Sequence, residues 1–214
     1  MGLSSALTNP AVQLVADASA IISLIATGSA GEVIAALPNR VVVVDTVLVE
    51  LEAGRQRGRS ACDGLRDLVT AEAVGIVTLD SEEALRCFED LVVGPAAATL
   101  DDGEAATIAY ALTRASTAVI DERKAIRICR ERFPGLQTGC TVDVLLHADV
   151  ERSLGPEMIG NLMFNALIHA HMRVLPEHVP WVVSVVGPER ALTCESLPRS
   201  VRNSLLPANR IQGA

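Results

Sequence analysis

Short apolar runs alternate along this chain with stretches whose apolar positions return at helical spacing. Val12-Gln13-Leu14-Val15-Ala16, Val41-Val42-Val43-Val44 and Thr117-Ala118-Val119-Ile120 have the character of strands buried on both faces, and a further short strand is predicted near Gly75 to Leu79. Between them the spacing predicts helices. Ser19 to Ile25 is stopped by Gly28, Gly31 to Leu37 is closed by Pro38, and Thr46 is placed to cap a helix carrying Val47, Glu50 and Leu51. A helix through Leu65 and Leu68, one opened by Ser81, one from Asp101 to Arg114 and one from Arg123 to Arg132 follow, the last ended by Pro134-Gly135. Thr141 to Asp149 is predicted as the last helix of the domain. Strands alternating with helices predict an α/β fold in which helices cover both faces of the sheet.

The character changes after Asp149. Gly155-Pro156 marks a boundary, Met158 to Met172 is an apolar helix, and Pro176 to Val186 is compatible with helix or strand. The organisation expected is a flexible leader over residues 1–11, an α/β domain over 12–150 and a C-terminal extension of unknown role over 151–214. Hydrophobic residues make up 50% of the 214 but aromatic residues only 2%, so the core is built from Val, Leu, Ile and Ala, which favours α/β over a β-sandwich. The best candidate for a membrane span, Leu14 to Ala26, is broken by Asp17, and a spanning helix needs about 18 or more apolar residues, so no membrane partner is expected. Cys62, Cys87, Cys129, Cys140 and Cys194 form no CxxC pair, which reads as reduced thiols in a cytoplasmic protein. The formal net charge of -8 excludes a generally basic nucleic-acid coat while leaving room for a basic rim around an acidic centre.

Chemistry is concentrated where the strands run out. Asp17 follows the first strand, Glu50 lies in a helix just past the valine run, Glu104 opens an alanine-rich helix and Asp121 follows Ala118-Val119-Ile120. In a wound α/β domain those strand ends meet at one edge of the sheet, where carboxylates far apart in sequence converge. Each has a structural alternative. Asp17 is a natural N-cap, Glu104 can close a capping box with Asp101, and Asp121 can be a turn residue. Asp102 is an alternate to Glu104 and Glu122 an alternate to Asp121, and Glu52 competes with Glu50 although it points roughly 200° away around the helix.

Taken together and in order, these stretches resemble the PIN-domain ribonucleases, and among them the small stand-alone and toxin-like prokaryotic branch. The matching segments are Val15-Ala16-Asp17-Ala18-Ser19-Ala20-Ile21-Ile22-Ser23-Leu24, Val47-Leu48-Val49-Glu50-Leu51, Leu100-Asp101-Asp102-Gly103-Glu104-Ala105-Ala106-Thr107-Ile108-Ala109, Val119-Ile120-Asp121-Glu122-Arg123-Lys124-Ala125 and Thr138-Gly139-Cys140-Thr141-Val142-Asp143-Val144-Leu145-Leu146. The resemblance implies a three-layer α/β/α sandwich with a central parallel sheet, a Mg2+ or Mn2+ site and metal-dependent cleavage of RNA. The metal-site acids it implies are Asp17, Glu50, Glu104 and Asp121, with Ser19 as a supporting polar residue. The third acid is more often Asp in the wider family, and Glu122 stands where relatives often carry a second Asp. Homodimerisation and inhibition by a small antitoxin protein are further implications of the same resemblance.

This chemistry suits these residue types. Hard divalent cations take oxygen ligands and keep several waters, so one or two carboxylates per ion suffice. An RNA backbone approaching an acidic centre needs cations at the rim, and the candidates are Arg55, Arg57 and Arg59 after the Glu50 helix, then Arg123, Lys124, Arg127 and Arg130 after Asp121. Arg123 and Arg127 share a helix face by i,i+4 spacing. His169 and His171 point to different faces of a helix, no GxSxG elbow is present, and no glycine loop precedes a phosphate-binding lysine. The rival reading from another class is a non-catalytic PIN-fold interaction module acting through its C-terminal extension.

Overall fold

The computed structural model of the chain describes residue 7, residues 9–55 and residues 61–206, with Arg55 described by its backbone alone. β1 (Leu14–Ala16) leads into α1 (Ala18–Ala26) and α2 (Ala30–Ala36), and β2 (Val41–Val44) into α3 (Asp45–Arg55) and α4 (Ala61–Thr70). β3 (Val74–Val77) leads into α5 (Glu82–Val92) and α6 (Asp102–Thr113), and β4 (Thr117–Val119) into α7 (Arg123–Arg132). β5 (Thr138–Gly139) is followed by α8 (Thr141–Leu145), α9 (Ala148–Leu154), α10 (Pro156–His169), α11 (Val179–Val186), α12 (Pro188–Thr193) and α13 (Arg199–Ser204).

The five strands form one parallel sheet in the order β3-β2-β1-β4-β5. Every residue of β1, β2 and β4 is buried, as continuous apolar strands require when both faces are covered. The chain winds outward from β1 through β2 to β3, then returns to lay β4 on the other side of β1. Right-handed crossovers put α1 to α4 on one face and α5 to α7 on the other, giving the expected α/β/α sandwich. The reversal makes the ends of β1 and β4 the topological switch point, where the connections diverge and leave a crevice. Ala16 pairs with Val119, and Val119 with Gly139, so the residues just past β1, β4 and β5 emerge side by side.

Local departures from the sequence reading have local causes. α3 starts without a break at Asp45, so Thr46 lies in its first turn rather than capping it, and Asp45 Oδ1 accepts the Thr46 N–H at 2.8 Å. The predicted helix over Thr141 to Asp149 divides into α8 and α9 because His147 recaps the chain, its Nδ1 accepting the Asp149 N–H at 3.2 Å. Pro176 to Val186, compatible with helix or strand by sequence, contains the helix α11. β5, only two residues long, has no periodicity to announce it.

Among the described residues, the segment after residue 150 packs against the α/β layers. α10 lies on α1, its Leu162 and Met163 are buried in the same core as Val15 and Val43, and Asn165 Nδ2 donates to the Thr27 carbonyl at 3.0 Å. α11 packs on α10 so closely that a Cβ at Gly160 would meet the Val185 carbonyl oxygen at 2.7 Å. Of the expected leader, the described Leu7 is 3% exposed, and Asn39 Nδ2 donates to the carbonyls of Asn9 and Val12, both at 2.8 Å. Among the described residues no single helix is long and apolar enough to cross a membrane.

Candidate metal and active site

Two buried aspartates lie just past β1 and β4, at the switch point of the sheet. Asp17 is 1% exposed and Asp121 2%. Asp17 caps α1, with Oδ1 accepting the Ala20 N–H at 2.7 Å, and the Ser19 hydroxyl lies 3.0 and 2.9 Å from its two oxygens. The same Ser19 Oγ accepts the Asp121 N–H at 3.3 Å, so one hydroxyl ties the two strand ends together. Asp121 Oδ1 accepts the Thr141 N–H at 2.8 Å, while Oδ2 accepts the hydroxyls of Thr141 at 2.8 Å and Ser23 at 3.0 Å.

Two glutamates lie on helices from the other connections. Glu104, on the first turn of α6, is partly buried, and its Oε2 accepts the Asp101 N–H at 3.4 Å. That is a long bond to one oxygen. The predicted cap is therefore present and leaves the second oxygen outside the contact. Glu50 is exposed on α3, and its carboxylate lies over the bare Cα of Gly103, where a Cβ would collide with it. Its competitor Glu52 is turned away into an ion pair with Arg66 at 2.5 Å.

Electrostatics link the four carboxylates. Burial pushes the Asp17 carboxyl well above its ordinary range, and the charges of Asp121 and then Glu104 push it further, against the Ala20 N–H and Ser19. Asp121 is raised chiefly by burial, with its Thr141 and Ser23 bonds opposing. Burial likewise raises Glu104, helped by Asp101 and Glu50 and opposed by the Asp101 N–H and by Lys124. Hydrogen bonds orient these groups without neutralising their mutual repulsion. An all-oxygen, like-charged donor set of this kind fits a hard divalent cation in its chemistry, and a Cβ at Gly103 would meet the tip of the Glu50 side chain.

Of the alternates, Glu122 forms an ion pair with Arg173, which directs it to the C-terminal arm and leaves Asp121 in the crevice. Asp102 is exposed at the start of α6. Three of the rim arginines, Arg123, Arg127 and Arg130, are engaged elsewhere. Arg123 Nη2 donates to the Val174 carbonyl at 3.1 Å, Arg127 to Glu131 at 2.8 Å and the Ala97 carbonyl at 3.0 Å, and Arg130 pairs with Glu177 at 3.4 Å. Lys124, whose charge acts on Glu104, is the basic residue of that segment nearest the carboxylates in effect. Arg57 and Arg59 and the side chain of Arg55 lie outside the described residues. His169 and His171 are exposed.

Sequence reasoning missed Ser23 and Thr141 as supports of Asp121. Ser23 carried a usable signal, since it follows Ser19 by four residues on an otherwise apolar helix and so shares its face. Thr141 lay in a segment that the resemblance marked, but its role beside Asp121 emerged only when β5 placed it next to β4. Two outcomes test this arrangement. Gly103→Ala should displace the Glu50 carboxylate and weaken Mn2+ binding about tenfold, the scale set by disturbing a ligand's support. Its melting temperature should hold or rise slightly, because Ala exceeds Gly in a helix by about 0.5–1 kcal/mol. Unchanged affinity in a calorimetric titration would remove Glu50 from the site. Thr141→Val should lower stability in urea at neutral pH by about 1–3 kcal/mol, since a buried carboxylate oxygen loses a donor; an unchanged midpoint would mean that the hydroxyl does not support Asp121.

A model of a family described as a PIN domain matches residues 13–187 of this chain. No curated protein and no solved structure matches it.

Proposed function

Because the chain belongs to the PIN-domain family, which has a nuclease fold and generally consists of metal-dependent nucleases, we propose that it is a Mg2+- or Mn2+-dependent endoribonuclease. The observation that carries the reading is the coupling of Asp17, Glu50, Glu104 and Asp121 at the switch point of the sheet, with the Glu50 carboxylate over Gly103.

Asp17, Glu50, Glu104 and Asp121 are the residues that would hold the cation. Bound there, a hard divalent cation supplies Lewis-acid polarisation of a phosphodiester and a water of lowered pKa. The chain's own residues do the positioning. Ser19 fixes the Asp17 and Asp121 segments relative to each other, Thr141 and Ser23 hold Asp121 in one orientation, and the α6 N-terminus sets Glu104. Lys124 adds positive charge at the rim, where a phosphate backbone must pass an acidic centre.

The substrate in this proposal is RNA, and the protein is the toxin of a toxin–antitoxin pair, a homodimer held in check by a small antitoxin. All five cysteines are free thiols, which supports a cytoplasmic setting. The test is cleavage of a panel of single-stranded and structured RNAs by purified protein with Mg2+, Mn2+ or EDTA. Cutting that requires a cation and disappears in the Glu50→Gln variant supports the reading. Cutting that survives EDTA, or no cutting of any RNA together with no cation-induced thermal shift, defeats it.

A further inference from the structure

Cys140, Asp143 and His178 place one ligand atom each within 4.8 Å of one another, at a position that shares no residue with the four carboxylates. Cys140 and Asp143 belong to the turn that opens α8, directly after β5. His178 arrives from the C-terminal arm, immediately before α11. We propose that this cluster is a second metal site, selective for a borderline or soft divalent cation such as Zn2+, which ties the C-terminal arm to the loop that holds Asp121.

The geometry is specific. Asp143 uses Oδ2 to accept the Cys140 N–H at 2.9 Å, which leaves Oδ1 facing His178 Nε2 at 3.4 Å. Zn–N and Zn–O bonds of about 2.0–2.2 Å in a tetrahedron put their ligand atoms about 3.4 Å apart, so these two atoms already span one edge. Cys140 is the N-cap residue of α8 and Asp143 its third residue, so the backbone of one short turn sets both ligands. Cys140 is 1% and Asp143 7% exposed, and His178 is half-buried. Three protein donors with one side toward solvent are the make-up of a site that keeps an open fourth position.

The arm is prepositioned for this. The Glu122–Arg173 pair, the Arg123 bond to the Val174 carbonyl and the Arg130–Glu177 pair hold the chain on α7 just before His178. Without metal the three groups form a hydrogen-bonded chain. Burial pushes Asp143 up, but the His178 bond and charge outweigh it and hold its carboxyl below the usual range, while Asp143 in turn raises His178. Burial keeps the Cys140 thiol protonated, so a cation that binds here must displace that proton to solvent, together with any proton on His178. Thiolate and imidazole favour Zn2+, Co2+ or Cu over Mg2+. Thr141, between the two ligands of the turn, donates twice to Asp121, so an ion here stiffens the support of the carboxylate centre without touching it.

Co2+ is the probe, because a cobalt–thiolate bond gives a near-ultraviolet charge-transfer band that carboxylate sites lack. Full-length protein stripped with a chelator should bind one equivalent of Co2+ with that band, and Zn2+ should bleach it. Cys140→Ser should abolish the band with an unchanged far-ultraviolet dichroism spectrum, and Asp17→Asn should leave it intact. His178→Gln should weaken Zn2+ binding beyond the ~10–100-fold caused by losing a supporting bond alone. A wild-type protein without the band, a band that survives Cys140→Ser, or one lost in Asp17→Asn overturns the proposal. A cleavage assay that fails while the band behaves as described leaves this site standing and defeats only the nuclease reading.

Discussion

Asp17→Asn is expected to lower cation-dependent RNA cleavage by at least ~10²–10³-fold, the scale of removing one preorganised electrostatic group, while raising the thermal stability of the metal-free protein. The two effects have one origin. The Asp17 carboxyl is buried at the switch point of the sheet and pushed well above its usual range by that burial and by Asp121. Asn keeps the cap on α1, since Asn and Asp serve equally as N-caps, and its side-chain oxygen can still accept the Ala20 N–H. What it removes is a buried charge among like charges, which is unfavourable to the apo fold and necessary to a cation. A loss of cleavage with a fall in stability would mean that Asp17 is structural; full activity would remove it from the site. Coupled measurement of rate and melting temperature separates these outcomes.

Removing the cation should make the protein's stability depend on pH in a particular direction. Asp17, Glu104 and Asp121 have folded-state pKa values above their ordinary ones, and unfolded carboxylates titrate near pH 4. Between those limits the folded state binds more protons than the unfolded state, so stability falls as pH rises. The contribution is fully present below about pH 4 and lost as pH climbs through the folded values. Asp143 and Glu177, held low by His178 and Arg130 among others, act with the opposite sign, so the curve of wild type minus Asp17→Asn isolates the site. Saturating Mg2+ or Mn2+ should reverse the loss. At about 100 times the dissociation constant a ligand adds ~2.7 kcal/mol, or about 5–10 °C in melting temperature for a chain of this size. The shift should shrink below pH 5 as protons compete. A cation effect independent of pH, or none, would contradict the coupled-carboxylate description.

Some of this was legible residue by residue. The valines of β2, all four buried, announce themselves because a strand covered on both faces admits no polar position. Asp17 and Asp121 were legible because they end such strands, and wound topology brings strand ends together. Helical geometry put Glu50 and Glu52 about 200° apart, and the Arg66 pair decides that Glu52 is the one engaged elsewhere.

Other features depend on contacts no local pattern encodes. Whether Asp121 or Glu122 enters the crevice turns on Arg173, about fifty residues later, drawing Glu122 away. Arg123, Arg127 and Arg130 look free in sequence because their partners, Val174, Ala97 and Glu177, come from distant segments. Thr141 becomes a support of Asp121 only when a two-residue strand joins the sheet beside β4. Cys140, Asp143 and His178 are unremarkable apart and a donor set together. The sequence by itself determined β1 to β4 and most of the helices, and it put four acids at or near strand ends, because periodicity and strand-end position are local properties of the chain. Tertiary structure decided which carboxylates share one charge environment, which cations are already engaged and where the C-terminal arm lies. Those depend on long-range pairings whose partners are separated by tens of residues and are selected by packing.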